Sequence, residues 1–199
     1  MANGRVITGF SYPYVALYGK DANNDPDYLS PQVLARGVDV TIAPDSADNN
    51  NYYGDNEIIE SDGGVFTGGT LTLNVDGLNE TAEALIFGLP APDTVTVDGN
   101  SVKAYRYGDG MSIPYVGIGF VIRYMSGGVT TYVPVVLHRV KFDIAQTSAA
   151  TQGESIDWQS QTLSAHIFRD ESASKNWKTV YEAQTTEAAA QAVITTVLA

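Results

Sequence analysis

A chain of 199 residues, 44% hydrophobic and 17% charged, is long enough to bury one sizeable core and too apolar to stay disordered. With 11 Lys and Arg against 23 Asp and Glu, its net charge is -12, which works against nucleic-acid wrapping and against binding to anionic membranes. There is no cysteine, so disulfides and thiolate chemistry are excluded and metal sites lose their usual soft ligand.

The opening MANGRVITGF lacks a basic segment followed by an apolar one, so no signal peptide is expected. No apolar run approaches the ~20 residues of a membrane span. The expectation is synthesis in a cytoplasm without membrane insertion. Abundant glycine with recurrent Val, Thr and Tyr favours strands and turns.

Arg5 to Thr8 and Tyr12 to Tyr18 read as two short extended runs, with Pro13 placing the second at an edge or strand start. Gly19 to Pro31 reads as a polar loop. Within it Asp21, Asn23, Asp25 and Asp27 alternate like the first ligands of a calcium loop. Pro26 replaces the sharp-turn glycine and Gln32 the bidentate glutamate, so a solvated turn is the expectation.

Leu34 to Leu89 carries the most order per residue. Leu34 to Ile42 predicts a strand with Val38, Val40 and Ile42 on one face and Asp39 and Thr41 on the other. Residues 43–56 (APDSADNNNYYGDN) predict a long acidic loop whose Tyr52 and Tyr53 suit a contact surface. After a short run, Glu57 to Glu60, and a Gly63-Gly64 break, Val65 to Asp76 predicts a second strand. Leu71, Leu73 and Val75 are apolar there, and Thr70, Thr72, Asn74 and Asp76 are polar. Asn79 then caps a helix ending at Phe87, with Gly88 and Pro90 stopping it. That helix is expected to cover the apolar side of the strands and leave the polar side free.

Asp93 to Tyr107 predicts a hairpin around Asp98-Gly99. Tyr115 to Met125 and Val129 to Phe142, joined by Gly127-Gly128, predict the core hairpin, with a bulge or edge at Pro134. A small-residue loop, Thr147 to Ser155, precedes strands at Thr162 to Arg169 and Trp177 to Ala183. A helix over residues 186–199, capped by Thr186, presents Ala190, Val193, Ile194, Val197 and Leu198 on one side. The expectation is one mainly β domain over residues 1–199, a β-sandwich or barrel with a flanking helix and a C-terminal helix.

Catalytic signals are sparse. His138 and His166 lie inside strands, where a structural role outweighs general-base work. No nucleophile elbow, metal spacing or phosphate loop occurs. The basic residues are spread through many strands and form no patch in sequence. No enzyme activity, cofactor or metal is expected.

The opening GRVITGFSYPYVALY, the segment LARGVDVTIAPDSADNNNYYGDN, the run FTGGTLTLNVDGLNETAEALIFGLP and the Ala-rich terminal helix together resemble the major tail tube proteins of long-tailed phages, in particular the phi13-like major tail proteins. The resemblance implies a β-sandwich whose copies form hexameric rings stacked into a hollow tube, contacting other tail proteins at its ends. It implies a place in the virion tail, after assembly in the host cytoplasm. It implies a conduit through which DNA passes on ejection and a long loop reaching the next ring. On that footing Asp39, Thr41, Thr70, Thr72, Asn74 and Asp76 are expected to line an acidic, non-sticking lumen. Asp45, Asp48, Asn50, Tyr52 and Tyr53 belong to the inter-ring loop. The rival from another class is a carbohydrate- or surface-binding β-sandwich of adhesin or tail-tip type; Trp158 and Trp177 are too far apart in sequence to signal a stacking platform.

Overall fold

A computed structural model describes residues 4–153 and 158–199. In chain order the strands are β1 (Val6–Lys20), β2 (Pro26–Val33), β3 (Gly37–Ser46), β4 (Asn50–Gly54), β5 (Glu57–Asp62) and β6 (Phe66–Val75). Helix α1 (Glu80–Phe87) precedes a hairpin of β7 (Asp93–Val97) and β8 (Asn100–Ala104). Then come β9 (Val116–Ser126), β10 (Val129–Phe142), β11 (Gln161–Phe168), β12 (Lys178–Val180) and α2 (Glu187–Val197). The chain is mainly β, as its composition predicts.

Eight strands form one sheet, in the order β2-β1-β9-β10-β11-β6-β3, with β12 attached to β10. All its pairings are antiparallel. The sheet curls until its β3 edge approaches β1. The Leu34 amide donates to the Pro13 carbonyl at 2.9 Å, and the Phe10 ring lies over Gly37. The sandwich or barrel is thus a single rolled sheet.

Alternation sorts the side chains into two cores. Val116, Ile118 and Phe120 of β9, with Val133, Val135 and Leu137 of β10, point into the roll. They meet Leu71, Leu73 and Val75 of β6 and Leu163, Ala165 and Ile167 of β11. Ala82, Ile86 and Phe87 of α1 fill the same interior, so the helix covers the apolar side of β6 as expected. Its caps are those read from sequence. The Asn79 side chain accepts from the Ala82 amide at 2.8 Å, and Gly88 closes the helix in a left-handed conformation.

The outer face of β1, β9 and β10 is covered by α2. Ala190, Ile194 and Leu198 bury Ala16, Val121, Val136 and the Tyr28 ring. The C-terminal helix therefore packs on its own chain. Glycine permits the close approach: a Cβ on Gly119 would stand 2.5 Å from Ile194 Cγ2, and one on Gly117 would stand 2.3 Å from Tyr28 Cε1.

Several expectations are corrected. The two N-terminal runs are one 15-residue strand, and Pro13 sits in a bulge between β2 and β9 rather than at an edge. Tyr12, at φ 58, turns the chain there. Gly19 and Lys20 end β1 and residues 26–31 open β2; only Asp21 to Asp25 turn, the Asp21 carboxylate accepting the Asn23 and Asp25 amides. Val38 is 56% exposed because a bulge between Gly37 and Asp39 takes it out of the alternation. In β10 the irregularity lies between Leu137 and Val140, and Pro134 stays in register opposite Val121. The second arm of the Asp98-Gly99 hairpin stops at Ala104, and β12 is three residues long. The expected small-residue loop, Thr147 to Ser155, ends at residues 154–155, which lie outside the described residues.

The glycine strip generates a prediction. Gly119→Val should loosen α2 from the sheet and destabilise the fold by about 1–3 kcal/mol. Ile194→Ala should cost about 2–5 kcal/mol through the cavity it leaves. Urea denaturation of both variants, read by circular dichroism, measures these losses.

Candidate functional site: an exposed arm and an uncovered polar face

Residues 43–56 are not an irregular loop. β3 continues through Ala43 to Ser46, and Asn50 to Gly54 pairs with Glu57 to Asp62. Asp55 and Asn56, at φ 51 and 65, form a tight turn of the kind that suits hairpin twist. The result is an arm that prolongs the β3–β6 ladder, linked to it by the Ala47 amide donating to the Val65 carbonyl. Five to six residues per strand give a reach of roughly 17–20 Å.

The arm carries large apolar side chains that its own chain leaves mostly uncovered, although Ile59 lies against Gly54. Tyr52 is 67% exposed, Tyr53 61%, Ile58 55% and Ile59 62%. Ile59 is the unpaired residue of a bulge, since Tyr52 faces Glu60 and Tyr53 faces Ile58. Between Ala47 and Val65 there are five acids (Asp48, Asp55, Glu57, Glu60 and Asp62) and no base. Of the residues expected in the inter-ring loop, Asn50, Tyr52 and Tyr53 are on the arm. Asp48 stands just before it, and Asp45 lies in β3 opposite Gly68.

The polar residues of β3 and β6 come together as expected. Asp39 stands opposite Asn74, Thr41 opposite Thr72, and Ala43 opposite Thr70. The Asp39 carboxylate accepts from Asn74 Nδ2 at 2.9 and 3.0 Å. β11 extends the rows with Thr162 opposite Asn74, Ser164 opposite Thr72 and His166 opposite Thr70. Sequence reasoning read β11 as a strand but did not place it on this face; its T-x-S-x-H alternation carries the signal. α1 and α2 pack elsewhere, so this face stays open. It is mostly hydroxyl and amide, with Asp39 and, at its far end opposite Gly68, Asp45 as carboxylates of the β3 row. Asp76 is displaced from it. Just past β6, its carboxylate accepts the Arg36 amide at 3.0 Å and faces the Arg36 guanidinium at 3.9 Å. It lines an open cleft of about 720 Å³ with Glu83, Asp143, Gln161, Thr162 and Ser164. Tyr107, beside this cleft, has its pKa pushed up to about 12 by burial and by its hydrogen bond with Glu83.

Several of the cations lie against aromatic rings, in two separate groups. Arg139 lies 3.9 Å from the Tyr115 ring centroid and Lys141 5.5 Å from it; Tyr115 packs edge-on against Phe168. Cross-strand pairing puts Arg139 beside Phe168 and Lys141 beside His166, at the margin of the polar face. The Arg169 guanidinium donates to the Phe66 carbonyl, and Lys178 lies over Trp177, which stacks on Phe66. Lys141 stands opposite His166 and Lys178 opposite the inward-facing Leu137, so these two cation–aromatic groups lie on opposite faces of the sheet.

Both histidines make side-chain contacts within their strands' surroundings. His138 Nε2 is 2.7 Å from Thr179 Oγ1, and its Nδ1 is 3.5 Å from the buried Asp170 carboxylate. Asp170 also accepts from the Ser172 hydroxyl at 2.7 Å. This array clasps β12 and the segment after β11 onto β10. Burial holds the His138 pKa below its ordinary value, and Asp170 only partly opposes that. His166, largely exposed, sits 3.6 Å from Asp143.

Among the described residues no group of three or more His, Asp or Glu is placed to hold a metal ion. No helix is long and apolar enough to cross a membrane. In comparisons with known proteins, no family model and no curated protein matches this sequence.

The clasp makes a pH prediction. The folded state lowers the His138 pKa, so the unfolded chain binds the proton more readily. The His138 contribution is therefore constant above the unfolded value of about 6.5 and is lost as pH falls below it. His138→Gln should reduce the fall in unfolding midpoint between pH 8 and pH 5, compared with the parent chain. Equal slopes for both proteins in urea titrations across that range would refute the assignment.

Proposed function

We propose that this chain is a structural, non-enzymatic subunit of a phage tail tube, whose copies form hexameric rings stacked into a hollow conduit for DNA. One observation carries the reading: an arm that projects beyond the sheet with Tyr52, Tyr53, Ile58 and Ile59 uncovered. Exposed aromatic and aliphatic side chains on a projecting hairpin belong against a partner. Two-stranded hairpins are marginal in water by themselves.

The open polar face supports the second half of the reading. Asp39, Thr41, Thr70, Thr72 and Asn74 on one tilted sheet offer hydroxyls, amides and a carboxylate toward a lumen. Such a lining makes no ion pairs with phosphate, so DNA slides past without a binding site. Asp76 sits at the rim of that face, where its bond to the Arg36 amide ties the strand end down. In this reading the protein works in the virion tail, with other tail proteins at the tube ends and no membrane insertion.

A carbohydrate- or surface-binding module is favoured by one observation. Trp158 is 85% exposed and next in sequence to Gln159, which lines the polar cleft. An aromatic face beside hydroxyl and amide groups suits sugar stacking.

Negative-stain electron microscopy of the concentrated protein tests the choice. The tube reading expects rings or hollow tubes, lost on replacing residues 49–63 by a two-residue turn while the circular dichroism spectrum stays β-rich. Normal tubes from that variant would sink it, as would a strict monomer whose Trp158 fluorescence titrates with glycans. Within tubes, Asp39→Lys should permit assembly yet slow DNA ejection in a phage carrying it.

A further inference from the structure

We propose that the β7–β8 hairpin of one copy receives the arm of a second copy edge to edge, with β5 pairing with β8 in one continuous sheet. The inference rests on the tube reading only in taking another copy as the arm's partner.

The two hairpins share one defect. Each is a two-stranded sheet whose strands pair only with one another. Such hairpins are marginal in water, and their outer edges carry unpaired backbone groups. In β7–β8, Val95 stands opposite Val102 and Val97 follows two residues on, so period two puts the three valines on one face. All three are 40–52% exposed. Thr94, Thr96, Ser101 and Lys103 occupy the other face. The two-residue turn at Asp98-Gly99 makes Val97 and Asn100 a hydrogen-bonded pair, so the Ser101 and Lys103 amides point away from β7. β8 therefore offers donors along an open edge.

The arm is sided in the same way. Its register puts Glu57, Glu60 and Asp62 of β5 on the face of Tyr52, and Ile59 joins them by lying over Gly54. Tyr53 and Ile58 share the opposite face with Asn51 and Ser61. Joined to β8 with these faces aligned, β5 extends the valine face with Ile58 and Tyr53 and sets its acids beside Lys103. Charge complementarity supports that alignment. Lys103 has no carboxylate within 4.0 Å among the described residues, and the arm has five acids and no base. Apolar groups then meet on one face and opposite charges on the other.

The same chain cannot satisfy both halves, because the hairpins leave opposite ends of β6. The arm joins its Phe66 end, and α1 follows its Val75 end. The Ser112 amide donates to the Gly88 carbonyl at 3.2 Å and Tyr107 bonds Glu83, which holds the β7–β8 excursion at α1. The 10 residues of β6 set the two ends roughly 33 Å apart, and the arm extends away from α1. A neighbour displaced along the strand direction brings its β7–β8 hairpin to the arm. The contact is heterologous, the kind that propagates from copy to copy.

The absence of native cysteine makes the test clean. An Ile58→Cys chain and a tagged Val102→Cys chain are co-expressed and treated with a short bis-maleimide. Docking raises the effective concentration of the two thiols, so the cross-linked heterodimer should form roughly tenfold or more above a control pairing Ile58→Cys with Val129→Cys. Ser101→Pro in the Val102→Cys chain removes an outward amide while leaving the β7–β8 bonds in place, and should return the yield to the control. Lys103→Glu there should cut it several-fold, and Glu57→Lys with Glu60→Lys in the Ile58→Cys chain should restore it. Circular dichroism verifies that each variant stays β-rich. A yield at the control level, or one that either Ser101→Pro or Lys103→Glu leaves unchanged, overturns the proposal. Tubes without this cross-link would remove the docking and leave the tube standing; the cross-link without tubes would do the opposite.

Discussion

Burial of β9 and β10 on both faces is the constraint from which the rest of the structure follows. Their inward side chains meet α1 and the far wall of the roll, and their outward ones meet α2. Each fully buried Val, Ile or Phe contributes about 1.5–3 kcal/mol, and these two strands hold many of them. A strand pair enclosed this way cannot carry polar side chains along its middle. It also needs small residues wherever a helix comes close, which Gly117 and Gly119 supply. Polar surface is displaced outward, to β3, β6 and β11 and to the arm. The division between a dry centre and wet margins decides which parts of the molecule can meet partners.

How much of this was legible depends on how local each feature is. The β9–β10 hairpin announces itself through a long apolar run, a Gly127-Gly128 turn and a second apolar run. α1 is marked by Asn79, Gly88 and Pro90, all acting within one or two turns of chain. The rows of Asp39, Thr41, Thr72 and Asn74 follow from simple alternation. The arm escaped because Asn50, Asn51, Tyr52 and Tyr53 have no apolar-polar alternation. Its only clues were paired Tyr-Tyr and Ile-Ile flanking a turn-prone Asp55-Asn56. Val38 misled because a bulge changes facing without altering composition. The cation–aromatic contacts were illegible for a deeper reason: one group depends on the register of β10 against β11, the other on Phe66 meeting Trp177 across more than a hundred residues.

The charge distribution deserves to be read as a pattern and not as a sum. Asp and Glu concentrate on the arm and at strand ends, where solvent hydrates them cheaply. The hydroxyl and amide rows between them are close to neutral. The Lys20–Glu171–Arg139 chain of ion pairs, at 2.6 and 3.1 Å, shows the cations being held in place at the surface; these exposed contacts add little stability and chiefly orient side chains.

The base of the arm is a pivot. Phe66 stacks on Trp177 with ring centroids 4.5 Å apart and planes 2° from parallel, and Arg169 grips its carbonyl. The arm's bearing is therefore set by a small aromatic stack at its foot. A tilt of about 10° there would swing a tip roughly 17–20 Å away by about 3 Å. That is nearly the full width of a side-chain contact. Trp177 touches no residue of the tip, yet it governs where the tip points. Because the ring also packs against the main core, shaving it down would cost stability along with aim.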